Sequence, residues 1–294
     1  MKTLRTLSAS IVMLALPLTV WAQAARTFVS AQHGNDANPC TVTSPCRSFA
    51  AAINTTLTGG EVIVLDSGGY GKFSVPMAIT VQAPSGVYAG CTTSGNPSDN
   101  GATIAASSGQ TVILRGLVFN GLGTSHDGVL FQSGGVLHIE NCIINAFAGA
   151  GIESTINAAV FINDTTVRNG GNGIVMSTST ASVSRCRIEK NAGDAMLAEN
   201  SAQVVASETV AAGNGQAGFN AQTAATLNLE NCMSTGNGTG IVAGSIGATT
   251  RVSNSVVANN TTGLSGTGSL LTRQNNMVEG NGVDGTFTGT ITAK

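Results

Sequence analysis

Charge is scarce in this chain: 10% of residues are Asp, Glu, Lys or Arg, and 4% are aromatic, where an ordinary domain is about 25% charged. That excludes a helix bundle with a charged outer face. Beyond the first residues, no stretch approaches the roughly 18 apolar residues that a membrane span needs. The three histidines show no ligand spacing, so neither a zinc site nor any other metal or cofactor is expected. Paired aspartates are also missing.

The chain is rich instead in glycine, 38 residues of 294, with abundant Asn, Thr, Ser and Ala. Such a sequence turns often and pairs its backbone extensively. Lys2 and Arg5 precede an apolar run over 11–20, and Ala22-Gln23-Ala24 follows as a small-x-small cleavage site. This pattern predicts a secretory signal peptide over 1–24 and an exported protein, periplasmic or extracellular in a bacterium. No cysteine at the cleavage point offers a lipid anchor. Loss of the leader leaves 11 basic residues against 15 acidic, net −4, which is no nucleic-acid footprint.

A period organises the rest. Val129, Ile152, Ile174, Met196, Phe219, Ile241 and Leu264 each follow a glycine or small residue, at spacings of 23, 22, 22, 23, 22 and 23. A constant period of this length marks a solenoid. Alternating segments such as Val136-Leu137-His138-Ile139-Glu140 are short strands. The reading is an all-β parallel β-helix of roughly ten coils over 60–294, less regular over 60–128, with strands around 61–65, 79–82 and 111–114. A second column, Asn145, Asn169, Asn191, Asn214, Asn237, Asn260 and Asn281, reads as a structural ladder. Asparagine tolerates left-handed turns, and stacked amides hydrogen-bond from coil to coil.

The segment 25–59 reads as a strand at 26–30, a disulfide loop and a capping helix. Cys40 and Cys46 lie in a short proline-bracketed loop and are expected to pair. The helix is expected over 46–57, with Ser44 as N-cap and Pro45 in its first turn. It would cover the open end of the first coil. Cys142, Cys186 and Cys232 share one coil position two coils apart, about 9.6 Å along the stack, too far for disulfides. They read as buried thiols. Cys91, in the irregular stretch 82–101, is expected to be exposed or reactive.

Ile139-Glu140-Asn141-Cys142 and Leu229-Glu230-Asn231-Cys232, with the Asn-Gly and Gly-Ile turns that follow, resemble the right-handed β-helix repeats of the pectin lyase-like superfamily. Arg26 to Ser30, Asn35 to Cys40 and Pro45 to Phe49 are similar to small exported bacterial β-helix proteins without assigned activity. The resemblance covers nearly all of the mature chain and implies a right-handed fold. It leaves the chemistry open, because the superfamily holds lyases, hydrolases, epimerases, adhesins and tailspikes.

The catalytic set of polygalacturonase-like members is absent: there is no Gly-His-Gly, and Arg187-Ile188-Glu189-Lys190 only approaches their Arg-Ile-Lys. No run of carboxylates at coil spacing matches a calcium-dependent lyase. Two Gly-x-Gly-x-x-Gly matches, at Gly213 and Gly280, fall in coil turns without the helix a dinucleotide needs. Charge concentrates at Asp164, Arg168, Arg185, Arg187, Glu189, Lys190 and Glu208 on three successive coils, with Arg168 expected to stack on Lys190. Asp164 or Glu208 could act as acid or base, with Arg187 and Lys190 beside them, or the group could be a solvated band of ion pairs. His126-Asp127 and His138 with Glu140 are further acid–base candidates, and Val160 and Ile162 are expected to stack on the second pair.

The reading that follows is a non-catalytic exported solenoid contacting polysaccharide or cell-envelope glycan. A polysaccharide lyase, hydrolase or epimerase with an unfamiliar site is the alternative. A module joining other chains through its coil ends is a third.

Overall fold

The computed structural model describes residues 24–292; the leader expected over 1–24 lies, except for Ala24, outside the described residues. Three parallel sheets of 12, 10 and 9 strands run the length of the molecule and are called sheets I, II and III in the order a coil visits them. One coil consists of Val136–Glu140 in sheet I, Ile143–Asn145 in sheet II and Ala150–Ser154 in sheet III. Each strand pairs in parallel with its counterpart one coil on.

Alternation places one set of side chains inside. On sheet I, Leu137, Val160, Ala181, Val204, Leu227 and Leu270 are all buried. Each larger apolar side chain sequestered this way contributes about 1.5–3 kcal/mol. The first coils are filled by aromatic rings: Phe49 packs on Tyr70 and Phe73 at centroid distances of 5.1 and 5.0 Å.

Phe49 comes from the one α-helix among the described residues, Phe49–Thr55, which buries Phe49, Ala52 and Ile53 over the first coil. It is shorter than expected and is capped by Ser48, not Ser44. Cys46 is held extended, bridged to Val29 and joined to Cys40 by a disulfide. Asp36 then accepts the N–H groups of Arg47 and Ser48, each at 2.8 Å, so the helix starts only beyond them.

The corners set the register. Between sheets I and II the chain turns through left-handed residues, among them Asn141, Asp164, Arg185, Glu208, Asn231 and Asn254, with φ of 48–54°. The next residue inward alternates between thiol and hydroxyl. Cys142, Cys186 and Cys232 are buried and free, and their N–H groups donate to Thr165, Thr209 and Ser255 of the following coils at 3.3, 3.4 and 3.1 Å. Burial pushes the Cys142 thiol up to about 12. Cys91 is buried as well, on the inward face of Ala89–Thr92 in sheet II. The expectation of an exposed thiol therefore fails, because part of the irregular stretch is a regular strand.

The asparagine ladder runs along the corner between sheets II and III. Asn191 Nδ2 donates to Asn214 Oδ1 at 3.0 Å, Asn214 to Asn237 at 2.9 Å, Asn237 to Asn260 at 3.1 Å, and Asn260 to Asn281 at 2.9 Å. Each acceptor oxygen also takes the donor residue's backbone N–H. Asp284 ends the line by accepting from Asn281 at 2.9 Å. Asn145 and Asn169 stand outside it. Asn145 ends a sheet II strand one position before the turn, and Asn169 occupies the left-handed position itself, with φ 58°. Their side chains meet each other at the surface, at 2.8 Å. The ladder residues follow the left-handed position, which is filled by Lys190, Gly213, Gly236, Asn259 and Gly280. Their role is hydrogen bonding, not tolerance of positive φ.

Candidate functional site

The four charged candidates do not form one site. Asp164 and Glu208 occupy the left-handed position between sheets I and II, with Arg185 on the coil between them. Arg185 grips Asp164 through two hydrogen bonds of 2.8 Å in open solvent and holds its carboxyl below the usual range. Arg187 lies on sheet II, spent on Glu189 at 2.5 Å. Lys190 belongs to the other corner, and its chain lies over Gly213. Arg168 stands opposite Glu189, not Lys190, a one-residue shift caused by the sheet II register. Asp164 and Glu208 line different hollows, Asp164 beneath the loop from Pro84 to Val87. Ion pairing accounts for most of this band.

His138 is also shifted by one residue. Its neighbours one coil on are Phe161 and, beside Glu140, Asn163. The imidazole stacks on the Phe161 ring at 4.9 Å.

The remaining candidate pair gains a partner on sheet III. His126 and Asp127 lead into the strand Val129–Ser133, and Glu153 points outward from Ala150–Ser154 on the next coil. Asp127 is completely buried. Its Oδ1 accepts the Ala150 N–H at 2.7 Å and its Oδ2 meets His126 Nδ1 at 2.7 Å. The same edge repeats the device on other coils. Asn100 accepts from Asp127 at 3.1 Å, Asn172 from Asp194 at 2.9 Å, and Asp194 from Ala217 at 2.7 Å. Asp127 is thus first a backbone cap, which leaves Oδ2, the imidazole and Glu153 as the groups that can act.

Glu153 sits in an outward column whose neighbours above and below are Leu130 and Val175, continuing through Leu197, Asn220 and Val242. Burial, then the charge and hydrogen bond of Asp127, push the Glu153 carboxyl up to about 7, opposed by His126 and with a smaller push from Glu199. Oxygen and nitrogen atoms of His126, Asp127 and Glu153 lie within 4.8 Å of one another. At neutral pH the cluster can hold a proton for transfer, and its three groups are close enough to share a cation.

Two hollows flank the cluster on this sheet. Lys72, Asp99, Asn100 and Thr103 line one of about 460 Å³ towards the helix cap. Lys72 pairs with Asp99, whose second oxygen accepts from Ser94 Oγ at 2.6 Å. Asp194, Gln216, Asn220, Thr239 and Val242 line the other, about 510 Å³, towards the C-terminal coils. Sequence reading missed Glu153. Its signal was an acid at a coil phase held by the aliphatic Leu130 and Val175 on the two adjoining coils.

Residues 100–262 match the model of the right handed beta helix region family. No curated protein matches the chain. Among solved structures, the chain is similar to pectate lyase Pel9A, with 14% identity, a TM-score of 0.62, and coverage of 92% of this chain and 80% of that one. It is also similar to the Dettilon tailspike protein, with 12% identity, a TM-score of 0.57, and coverage of 84% of this chain and 55% of that one.

Proposed function

For a chain that belongs to the right-handed β-helix family, within the pectin lyase-like superfamily, we propose an exported protein that binds an extended glycan along the outward face of sheet III. One observation carries the reading. On this face the polar edge of Asn100, Asp127, Asn172 and Asp194 runs beside the aliphatic side chains Leu130, Val175, Leu197 and Val242, whose column is interrupted by Glu153 and Asn220, between two hollows. A sugar presents both kinds of surface, hydroxyl edges and apolar C–H faces. A polymer of sugars meets both features together on the coils of Asp127 with Leu130, Asn172 with Val175 and Asp194 with Leu197, with coils about 4.8 Å apart. That a similar fold is named a pectate lyase supports polysaccharide as the ligand class. The band around Asp164, Arg187, Glu208 and Lys190 supplies no catalytic set, which favours binding without turnover.

Glu153 favours a second reading. A carboxyl that keeps its proton near neutrality is equipped as a general acid, and on this reading the protein cleaves or isomerises the glycan it binds. A glycan array run beside a depolymerisation screen, on wild type and Glu153→Gln, separates the two. Binding without product in both proteins is the expected result. Product from wild type that disappears in Glu153→Gln makes the protein an enzyme. Neither binding nor product across uronate-containing, amino and neutral glycans ends the glycan reading.

A further inference from the structure

We infer that the glycan on sheet III is an amino polysaccharide, bound through its protonated amines; the inference rests on the glycan reading and names its substrate class. The face and its edges carry Asp99, Asp127, Glu153, Asp194 and Glu199 against Lys72, the imidazole of His126 and, at the corner leading into the sheet, Lys190. Lys72 is already engaged by Asp99 and the His126 imidazole by Asp127. Asp194 is held only by neutral donors, the Ala217 N–H and Asn220 Nδ2 at 2.7 and 2.9 Å. Glu199 meets the Asn200 amide at 3.4 Å. Glu153 has another carboxyl as its nearest partner. The chain does not lack cations elsewhere: Arg115, Arg185 and Arg187 form ion pairs with carboxylates of sheets I and II and the corner between them. The excess negative charge is therefore local to the face with the two hollows, and Asp194 lines one of them.

A polyuronate laid on this face would set its carboxylates against Asp194 and Glu199, and a neutral glycan would leave their charge uncompensated. Ammonium groups would neutralise it and, by favouring ionised Glu153, release its proton. The apolar column still takes the sugar faces, so the amine adds charge recognition to the same footprint.

Three oligomers of equal length separate charge from shape: β-1,4-linked glucosamine, its fully N-acetylated form, and galacturonate. Calorimetry at slightly acidic pH and low salt should show the glucosamine oligomer binding about tenfold tighter than the acetylated one or more, with galacturonate weakest. Asp194→Asn preserves the backbone acceptor and, with Glu199→Gln, should weaken the glucosamine oligomer by about three- to tenfold each while leaving the acetylated one unchanged. Arg187→Gln should leave all three unchanged. Equal binding of the acetylated oligomer, or tighter binding of galacturonate, overturns the amine and leaves the glycan reading standing. If none of the three binds but the array identifies another glycan, the amine alone fails. If the array is also blank, both fail.

Discussion

At the corner between sheets I and II, Asp164, Arg185 and Glu208 stand on three successive coils in open water. On sheet III, Asp127 and Glu153 stand on two, beside His126. Both groups combine carboxylates at coil spacing with a nitrogen base, yet their carboxyls move in opposite directions. Asp164 is lowered by the Arg185 fork, while Glu153 is raised to about 7 between Leu130 and Val175. The difference lies in what surrounds the charge. A bidentate guanidinium in solvent satisfies a carboxylate, whereas an aliphatic neighbour on each side and a buried carboxylate beneath leave one dissatisfied. A dense charge cluster in a β-helix is therefore weak evidence of function, and an acid set between aliphatic neighbours is stronger.

The largest perturbation is expected at the ladder that fixes the sheet III edge but not the charged corner. Asn237→Ala removes the acceptor of the Asn214 N–H and of one Asn214 Nδ2 hydrogen, and a donor to the Ala211 carbonyl, and should cost about 2–4 kcal/mol in urea unfolding. Asn169→Gly, at the left-handed position outside the ladder, should leave the midpoint almost unchanged, because glycine adopts that conformation freely.

A smaller effect concerns pH. The fold raises the Glu153 pKa, so it retains a proton that the unfolded chain gives up. Its contribution to stability is full below about 4.5 and is lost as pH rises through about 7. Wild type should lose stability over that window, and Glu153→Gln should flatten the slope; parallel slopes would remove the contrast between the two regions. The smallest effect belongs to the corner. Asp164→Ala combined with Arg187→Ala should leave glycan binding unchanged, and Arg185→Ala should shift the melting temperature by about a degree or less.

The period made the solenoid legible, because Val129 and its six successors each begin a sheet III strand or its inward core position. The disulfide was legible from two cysteines six residues apart. What escaped was phase within the coil. Asn169 and Asn191 differ by 22 residues but by one structural position, since coils vary in length at their corners and a count along the chain cannot say which corner absorbed the change. The same slip exchanged Phe161 for its neighbours beside His138. Glu153 was missed for another reason: its place between Leu130 and Val175 follows directly from the Val129, Ile152 and Ile174 column, but an outward acid on a strand carries no signal until its neighbours on the next coils are read with it.

Asp284 accepts the last ladder amide in the way each asparagine accepts the one before it, so the column is terminated by a part that fits any preceding coil. Length in this molecule is then quantised. Removing or duplicating one whole coil between Glu153 and Asp194 would move the two apart in a step of about 4.8 Å and hand the same ladder to the same terminator, whereas a change of a few residues would break it. The protein is a ruler whose graduations can be cut or copied, and the distance between its two hollows is the quantity such edits would reset.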